Sequence, residues 1–236
     1  MTATVLSDSF PNRFQRESLN LVASLLPLSS SAFYLVGADM RHRGVVLRNL
    51  EAEAERNYVE NFLHLDPLNP ALFEHSGERV VCIGELMNTA ELLRSEYYTG
   101  FMQPLNHRHV ADMFFRRDGS IVAVLSMLRD ATMGQFKKEE LGLLRNLQPF
   151  LEYTLNTVYL PRRHRQRQDV SQTYALTERE VDVVELIVAG ASNKIIAREL
   201  GLSLATVKTH IQHVFQKMEI SSRTELSAKV LGTGEG

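Results

Sequence analysis

The sequence predicts an α+β domain followed by an all-α module, and three observations carry this. Residues 19–160 mix strand-like and helix-like stretches. Four short helical patterns with clear capping signals occupy residues 177–232. Between them, Pro161 opens a polar Arg/Gln run that reads as a boundary. At 236 residues the chain has room for two modest domains, each able to bury its own core, and 44% hydrophobic with 23% charged is ordinary globular composition.

In the first part, Leu19 to Leu26 has helical spacing, and AFYLVGADM (32–40) and GVVLRNL (44–50) read as two strands. EAEAERNYVENFLHL (51–65) reads as a helix from its Glu and Ala content, ended by Asp66-Pro67. RVVCIGEL (79–86) reads as a strand and TAELLRSEYYTGFM (89–102) as a helix. HVADMFFRRDGSIVAVLSMLRD (109–130) is a hairpin turned at Asp118-Gly119. A last helix starts near Lys137, and Pro149 should kink or restart it before Leu160. Hairpins with helices in the long crossovers imply a mostly antiparallel sheet of about five strands with helices on its faces. The expected division is a first domain over 1–161, a basic linker over 162–172 and the helical module over 173–236.

The module's caps are legible one by one. Thr177 with Glu180 forms a capping box, with Leu176 and Val181 as its hydrophobic staple, and that helix ends near Gly190. Ser192 caps a second helix that stops at Gly201, a residue suited to a left-handed C-terminal position. Ser203 caps the third, stapled by Leu202 and Val207, and Ser222 with Glu225 opens a fourth that ends at Gly232.

Charge follows the same division. Residues 1–161 hold 15 Lys and Arg against 19 Asp and Glu, a net of −4; residues 162–236 hold 11 against 9, a net of +2. Between Ser203 and Met218 there is no acid at all, while Lys208, His210, His213 and Lys217 are present. In that helix Val207, Ile211, Val214 and Met218 make a buried stripe widened by Phe215, and Lys208, Thr209, Gln212 and Gln216 lie opposite. Joined to the preceding helix by a three-residue turn containing Gly, this is helix-turn-helix geometry, in which the second helix enters the DNA major groove. Lys donates to guanine O6 and N7, Gln bonds adenine in two places, and a Thr methyl packs on thymine. The exposed residue types of this face suit that task. Ser203, Thr206 and the nearby N–H groups suit a phosphate, with Asn193, Lys194, Lys217 and Arg223 as further backbone contacts. An acid on this face would repel the phosphates.

Leu176-Thr177-x-Arg179-Glu180, Gly190-x-Ser192-Asn193-Lys194, Thr206-Val207-Lys208-x-His210, Lys217-Met218 and Ser222-Arg223 together closely resemble the C-terminal DNA-binding domain of the LuxR/FixJ family of bacterial transcription regulators. The match covers about sixty residues in order and spacing. One departure is Ile195, where the family usually has Glu after Ser-Asn-Lys. The resemblance implies base contacts by Lys208, Thr209 and Gln212, and dimeric binding to an inverted-repeat operator in double-stranded DNA. It also implies a share in pairing for the last helix (222–231), although Leu226, Val230 and Leu231 would equally suit closing the module's own core.

The first domain lacks the acidic pair and parallel alternation of a phosphorylated receiver. Its strand order and Asp66-Pro67 are similar to the GAF-like acyl-homoserine lactone domain of other relatives, so a GAF/PAS-like fold is expected. The lactone pattern W-x3-Y-x8-D-P, aligned on Asp66, puts its Trp position on Glu53 and its Tyr position on Asn57; Tyr58 is one residue off and the chain has no Trp. Asp66-Pro67 fits a helix-ending turn as well as a ligand site. If the domain is a sensor, its pocket should lie between the sheet and residues 51–65, with Tyr34, Tyr58 and Phe62 as walls and Asp66 as hydrogen-bond acceptor.

Three readings stand beside one another: a dimeric regulator gated by a small ligand, of which a lactone quorum-sensing receptor is one version; a regulator whose first domain only dimerises or docks a protein; and an enzyme domain fused to a DNA anchor. No nucleophile–base motif or phosphate-cradling loop supports an enzyme, and no cofactor is expected. His107-x-His109 lacks a third metal ligand, and Cys82, the single cysteine, reads as a core thiol. No apolar run reaches membrane length and the N-terminus has no signal-peptide pattern, so a cytoplasmic protein that does not enter the membrane is expected.

Overall fold

The computed structural model describes residues 13–37, 40 and 42–231. Phe14–Asn156 make one compact unit and the chain from Thr157 belongs to the other. In the first unit come α1 (Arg13–Leu25), β1 (Ser30–Val36), β2 (His42–Arg48), α2 (Ala52–Asn57), α3 (Pro70–Phe73), β3 (Val80–Cys82), α4 (Ile83–Leu86), α5 (Thr89–Arg94), β4 (His109–Arg117), β5 (Ser120–Arg129) and α6 (Lys138–Thr154). The sheet runs β2-β1-β5-β4-β3, and every neighbouring pair is antiparallel. This is the five-stranded antiparallel α+β domain that the hairpin pattern implies.

The β4–β5 turn has Asp118 at φ 52° and Gly119 at φ 88°, the two positive angles that a tight hairpin with right-handed twist needs. Both sheet faces are covered. On one, Phe33 stacks on Phe115 at 5.4 Å, Phe14 of α1 meets Phe33 edge-on, and Gln148 of α6 donates to the Phe114 carbonyl at 2.7 Å. On the other, Tyr34, Val110, Phe114, Val124 and Leu128 form a core with Leu68, Leu92, Tyr97 and Phe101 from the 52–102 segment. Alternation along each strand assigns its residues to the two cores in turn.

Several elements differ from their sequence patterns. The expected strand at 79–86 pairs only over Val80–Cys82, because the chain turns into α4 at Ile83 and Glu85 caps the Cys82 N–H at 3.3 Å. The expected helix at 51–65 is α-helical only in α2, then widens to a π-turn (Tyr58–Phe62) and tightens to a 3₁₀ turn (Leu63–Leu65). The widened turn sets Tyr58 and Phe62 against Phe101, at 5.3 and 5.6 Å. The expected helix at 89–102 breaks at extended Ser95. The first helix already includes residues 13–18, ahead of Leu19, with buried Gln15 tied to the Phe33 carbonyl. Pro149 does not end α6, which runs through it to Thr154.

The second unit holds α7 (Leu160–Thr173), α8 (Glu178–Val188), α9 (Asn193–Leu200), α10 (Leu204–Met218) and α11 (Arg223–Leu231). Val181, Val184, Ile187, Ile196, Val207, Val214, Met218 and Leu226 are among the residues of its own core. Residues 162–172, read from sequence as a linker, are helical here. Arg163 and Arg167 pair with Glu185 at 2.8 and 2.5 Å, Arg167 also reaches Asp182, and Val170 is buried. The basic run is thus matched by acids of α8. The fourth helix is described to Leu231, and its expected end at Gly232 lies outside the described residues.

Candidate DNA interface and ligand cavity

The turn between α9 and α10 is built by local chemistry. Ser192 accepts from the Ile195 N–H, so the α9 cap survives without the Glu usual in relatives. Gly201 closes α9 at φ 62°, and Leu202 N–H returns to the Ala197 carbonyl at 2.7 Å. Ser203 then caps α10 by accepting from Thr206 N–H at 3.1 Å. Val207, Val214 and Met218 are buried, which fixes the rotation of α10 and leaves Lys208, Thr209 and Gln212 exposed together. Thr209 folds its hydroxyl back to the Ala205 carbonyl, so its methyl is the part presented outward.

The other expected DNA contacts divide. Lys194 is exposed, Ser203 and Thr206 are exposed with their hydroxyls 2.8 Å apart, and Asn193 is half-buried. Lys217 bonds Glu180 at 2.7 Å and the Ala175 carbonyl at 3.0 Å, bracing α10 against the start of α8. Arg223 donates to the Ala191 carbonyl and to Asn193 Oδ1. Those two cations work inside the module. Leu226 and Val230 are buried in the same core, whereas Leu231 is half-buried at the end of α11.

In the α+β unit, Tyr34, Tyr58 and Asp66 come together around one cavity of about 60 Å³. Phe62 is not among its lining residues. Its ring packs on Phe101 and fills the space where a Cβ on Gly100 would sit, 2.6 Å from Phe62 Cε1. Tyr58 is displaced by one position from the lactone-domain pattern, yet its hydroxyl donates to Asp66 Oδ2 at 2.7 Å. The Leu68 N–H reaches Asp66 Oδ1 at 2.8 Å, and Tyr97 also bonds this carboxyl. Burial still raises the Asp66 pKa, against the pull of those bonds.

Sequence reasoning missed Tyr97, His42 and above all Asp112. Asp112 stands in the middle of β4, 3% exposed, opposite Ser126 of β5. Ser126 bonds it, but Asp112 Oδ1 has no partner. Burial and then the nearby Asp66 hold its carboxyl well above the usual range. His42 stacks on Tyr34 at 3.7 Å with no hydrogen bond at either ring nitrogen and Nδ1 4.0 Å from Glu55 Oε1, and burial lowers its pKa to about 4, so it stays neutral. The signal for Asp112 was in the sequence: HVADMFF places a carboxylate at an inward position of an apolar strand.

This makes a pH prediction. Unfolded Asp titrates near 3.9, and folded Asp112 titrates higher. Both states are protonated at low pH, and folding is penalised as pH rises through the unfolded pKa and on to the folded one. Asp112→Asn should therefore raise the melting temperature of the α+β domain at pH 7, with the gain shrinking towards pH 4. Thermal melts at the two pH values check this; an equal change at both would mean that titration is not the cause. Tyr34, His42, Glu55, Tyr58, Asp66 and Tyr97 face the same cavity and belong in the interpretation.

His107, suggested as half of a metal pair, is buried and bonds Ser30 at 2.8 Å, and Cys82 is buried. Among the described residues no group of three metal-ligating side chains occurs, and no helix is long and apolar enough to cross a membrane.

A reading helix on a capped all-α module, carried with an α+β domain that encloses a mostly apolar cavity holding buried acids, defines a transcription regulator with a ligand-binding-like first domain. The family model for bacterial regulatory proteins of the luxR family matches residues 174–230. Over 211 residues the chain is 34% identical to the monoamine regulon transcriptional regulator of Klebsiella aerogenes, covering 89% of this chain and 87% of that protein. It is 35% identical over 120 residues to the nitrate/nitrite response regulator protein NarL of Escherichia coli, about half of each chain (51% and 50%). Escherichia coli SdiA aligns over 93% of this chain and 90% of its own, at 16% identity and a TM-score of 0.42. The chain belongs to the luxR family of bacterial transcription regulators.

Proposed function

We propose that this protein is a cytoplasmic, non-enzymatic, homodimeric regulator that reads an inverted-repeat operator and is gated by a small molecule in its α+β domain. The observation that carries the DNA reading is the acid-free exposed face of α10, with Lys208, Thr209 and Gln212 side by side. Lys194, Ser203, Thr206 and Asn193 are the residues assigned to the backbone phosphates in this reading. Lys217 and Arg223 add positive field to that side while their own bonds hold the module together. Lys208→Ala and Gln212→Ala should each lose roughly 1 to 3 kcal/mol on the true operator and change binding to random DNA little. Lys194→Ala should weaken both alike and flatten the salt dependence. Equal losses on specific and random DNA for Lys208 and Gln212 would remove the base-reading assignment.

Pairing has its own support. Leu143, Phe150 and Tyr153 lie on one side of α6, and the last two are 65% and 66% exposed. A self-complementary apolar stripe suits a two-fold interface, and Phe150→Glu should shift the full chain towards monomer in sedimentation. The lead for gating is the cavity at Asp66. The Klebsiella relative is named for a monoamine regulon, and genes of such a regulon are the targets we carry over to this chain.

A further inference from the structure

We propose that the cavity is a site for a small organic ammonium ion, with Asp112 as its counter-ion and Asp66 as a second acceptor. This rests on the reading of the α+β domain as a ligand sensor and names what it would sense. Two buried aspartates, 7% and 3% exposed, share one small, mostly apolar cavity, and Glu55 is a third acid on its lining. Among the described residues no Lys or Arg lines it. His42, the basic group on the described lining, is kept neutral by burial and so balances none of these acids. Asp66 is already satisfied by Tyr58, Tyr97 and the Leu68 N–H. Asp112 is not: Ser126 bonds it, but its buried Oδ1 has no hydrogen-bond partner. An acid left this way costs stability that an apolar residue would have avoided.

What repairs the deficit is a donor that brings positive charge. An ammonium offers up to three N–H groups and no acceptor, whereas a carboxylate ligand offers only acceptors and would repel both acids. An amide N–H could serve one acid but leaves the charge problem of the second. The walls agree. Tyr34, Tyr58, Tyr97 and Phe101 surround the space, and aromatic faces attract a cation. The cavity, about 60 Å³, is well under the roughly 150 Å³ that takes a benzene ring. It fits the ammonium and a short chain as it stands, and an aryl group would have to displace a side chain.

The test uses the full chain and millimolar n-butylamine and 2-phenylethylamine, with 1-butanol, 2-phenylethanol, butyrate and N-butanoyl-homoserine lactone as matched probes. Calorimetry and thermal melts report binding; operator affinity is measured alongside. At least one amine should bind and raise the melting temperature, while the alcohols and butyrate do not. Asp112→Asn should weaken that amine about ten- to a hundredfold, the loss of one charge-assisted bond. Asp112→Ser is run in parallel, and circular dichroism with unliganded melts establishes that each variant is folded. Equal binding of alcohol and amine, undiminished binding by folded Asp112 variants, or no binding of either amine overturns the inference. If the lactone or an alcohol alone binds and shifts operator affinity, the ammonium assignment falls and ligand gating stands. If an amine binds through Asp112 and operator affinity does not move, the site stands and gating falls.

Discussion

Arg129→Ala is expected to destabilise the α+β domain by roughly 3 to 5 kcal/mol, the usual result of removing one partner of a buried ion pair. Arg129 ends β5 with its side chain 1% exposed and grips Glu140 with two bonds, at 2.8 and 3.0 Å. The same guanidinium donates to the carbonyls of Pro27 and Gln135 and lies over the Phe136 ring, 4.0 Å from its centre. One side chain thus ties the end of the sheet to the loop before β1 and to the start of α6. Truncation strands two carbonyls and leaves the Glu140 carboxylate with only its α6 capping bond to the Lys137 N–H. At about 2 to 4 °C per kcal/mol for a domain of this size, the melting temperature should fall by roughly 10 °C. Arg129→Met with Glu140→Gln should cost less than Arg129→Ala, because no unpaired charge remains. Urea titration of the three proteins decides it: a loss under about 1 kcal/mol for Arg129→Ala would show the pair to be nearly neutral.

The second large effect concerns the isolated helical unit. Residues 157–236 should fold, since they carry their own core, but should bind the operator about 10² to 10⁴ times more weakly than the full chain. That factor is the effective concentration supplied when two modules are tethered in one dimer, read on half-sites about one helical turn apart. The fragment must include α7. Cutting at 171 removes Arg163 and Arg167 and leaves the buried Glu185 carboxylate with neither of its guanidinium partners. The shorter fragment should therefore melt lower than the longer one. Full-strength operator binding by 157–236 would show that pairing does not depend on the first domain.

The sequence by itself determined what local chemistry controls. Ser203 bonding Thr206, Gly201 at positive φ and the 177/180 box are decided within four residues, and these residues appear where their types and spacing put them. The period of Val207, Ile211, Val214 and Met218 fixed which side of α10 is outward, and with it Lys208, Thr209 and Gln212. Alternation in 109–130 and the Asp-Gly turn likewise determined the central hairpin. Tertiary structure decided what depends on residues far apart in the chain. Lys217 had the right charge for a phosphate, but only folding placed Glu180 beside it. The basic run at 162–167 looked like a solvated linker until α8 presented Glu185 and Asp182 to it. The cavity is the clearest case: Asp66 follows a 3₁₀ turn, Asp112 lies on β4 and Tyr97 precedes a π-turn, and no spacing in the sequence relates them. Sheet register brings Asp112 opposite Ser126, and packing of residues 52–102 over that face encloses both acids. Burial without a compensating cation is a property of that three-dimensional enclosure, since each carboxylate taken alone in the chain is an ordinary solvated acid.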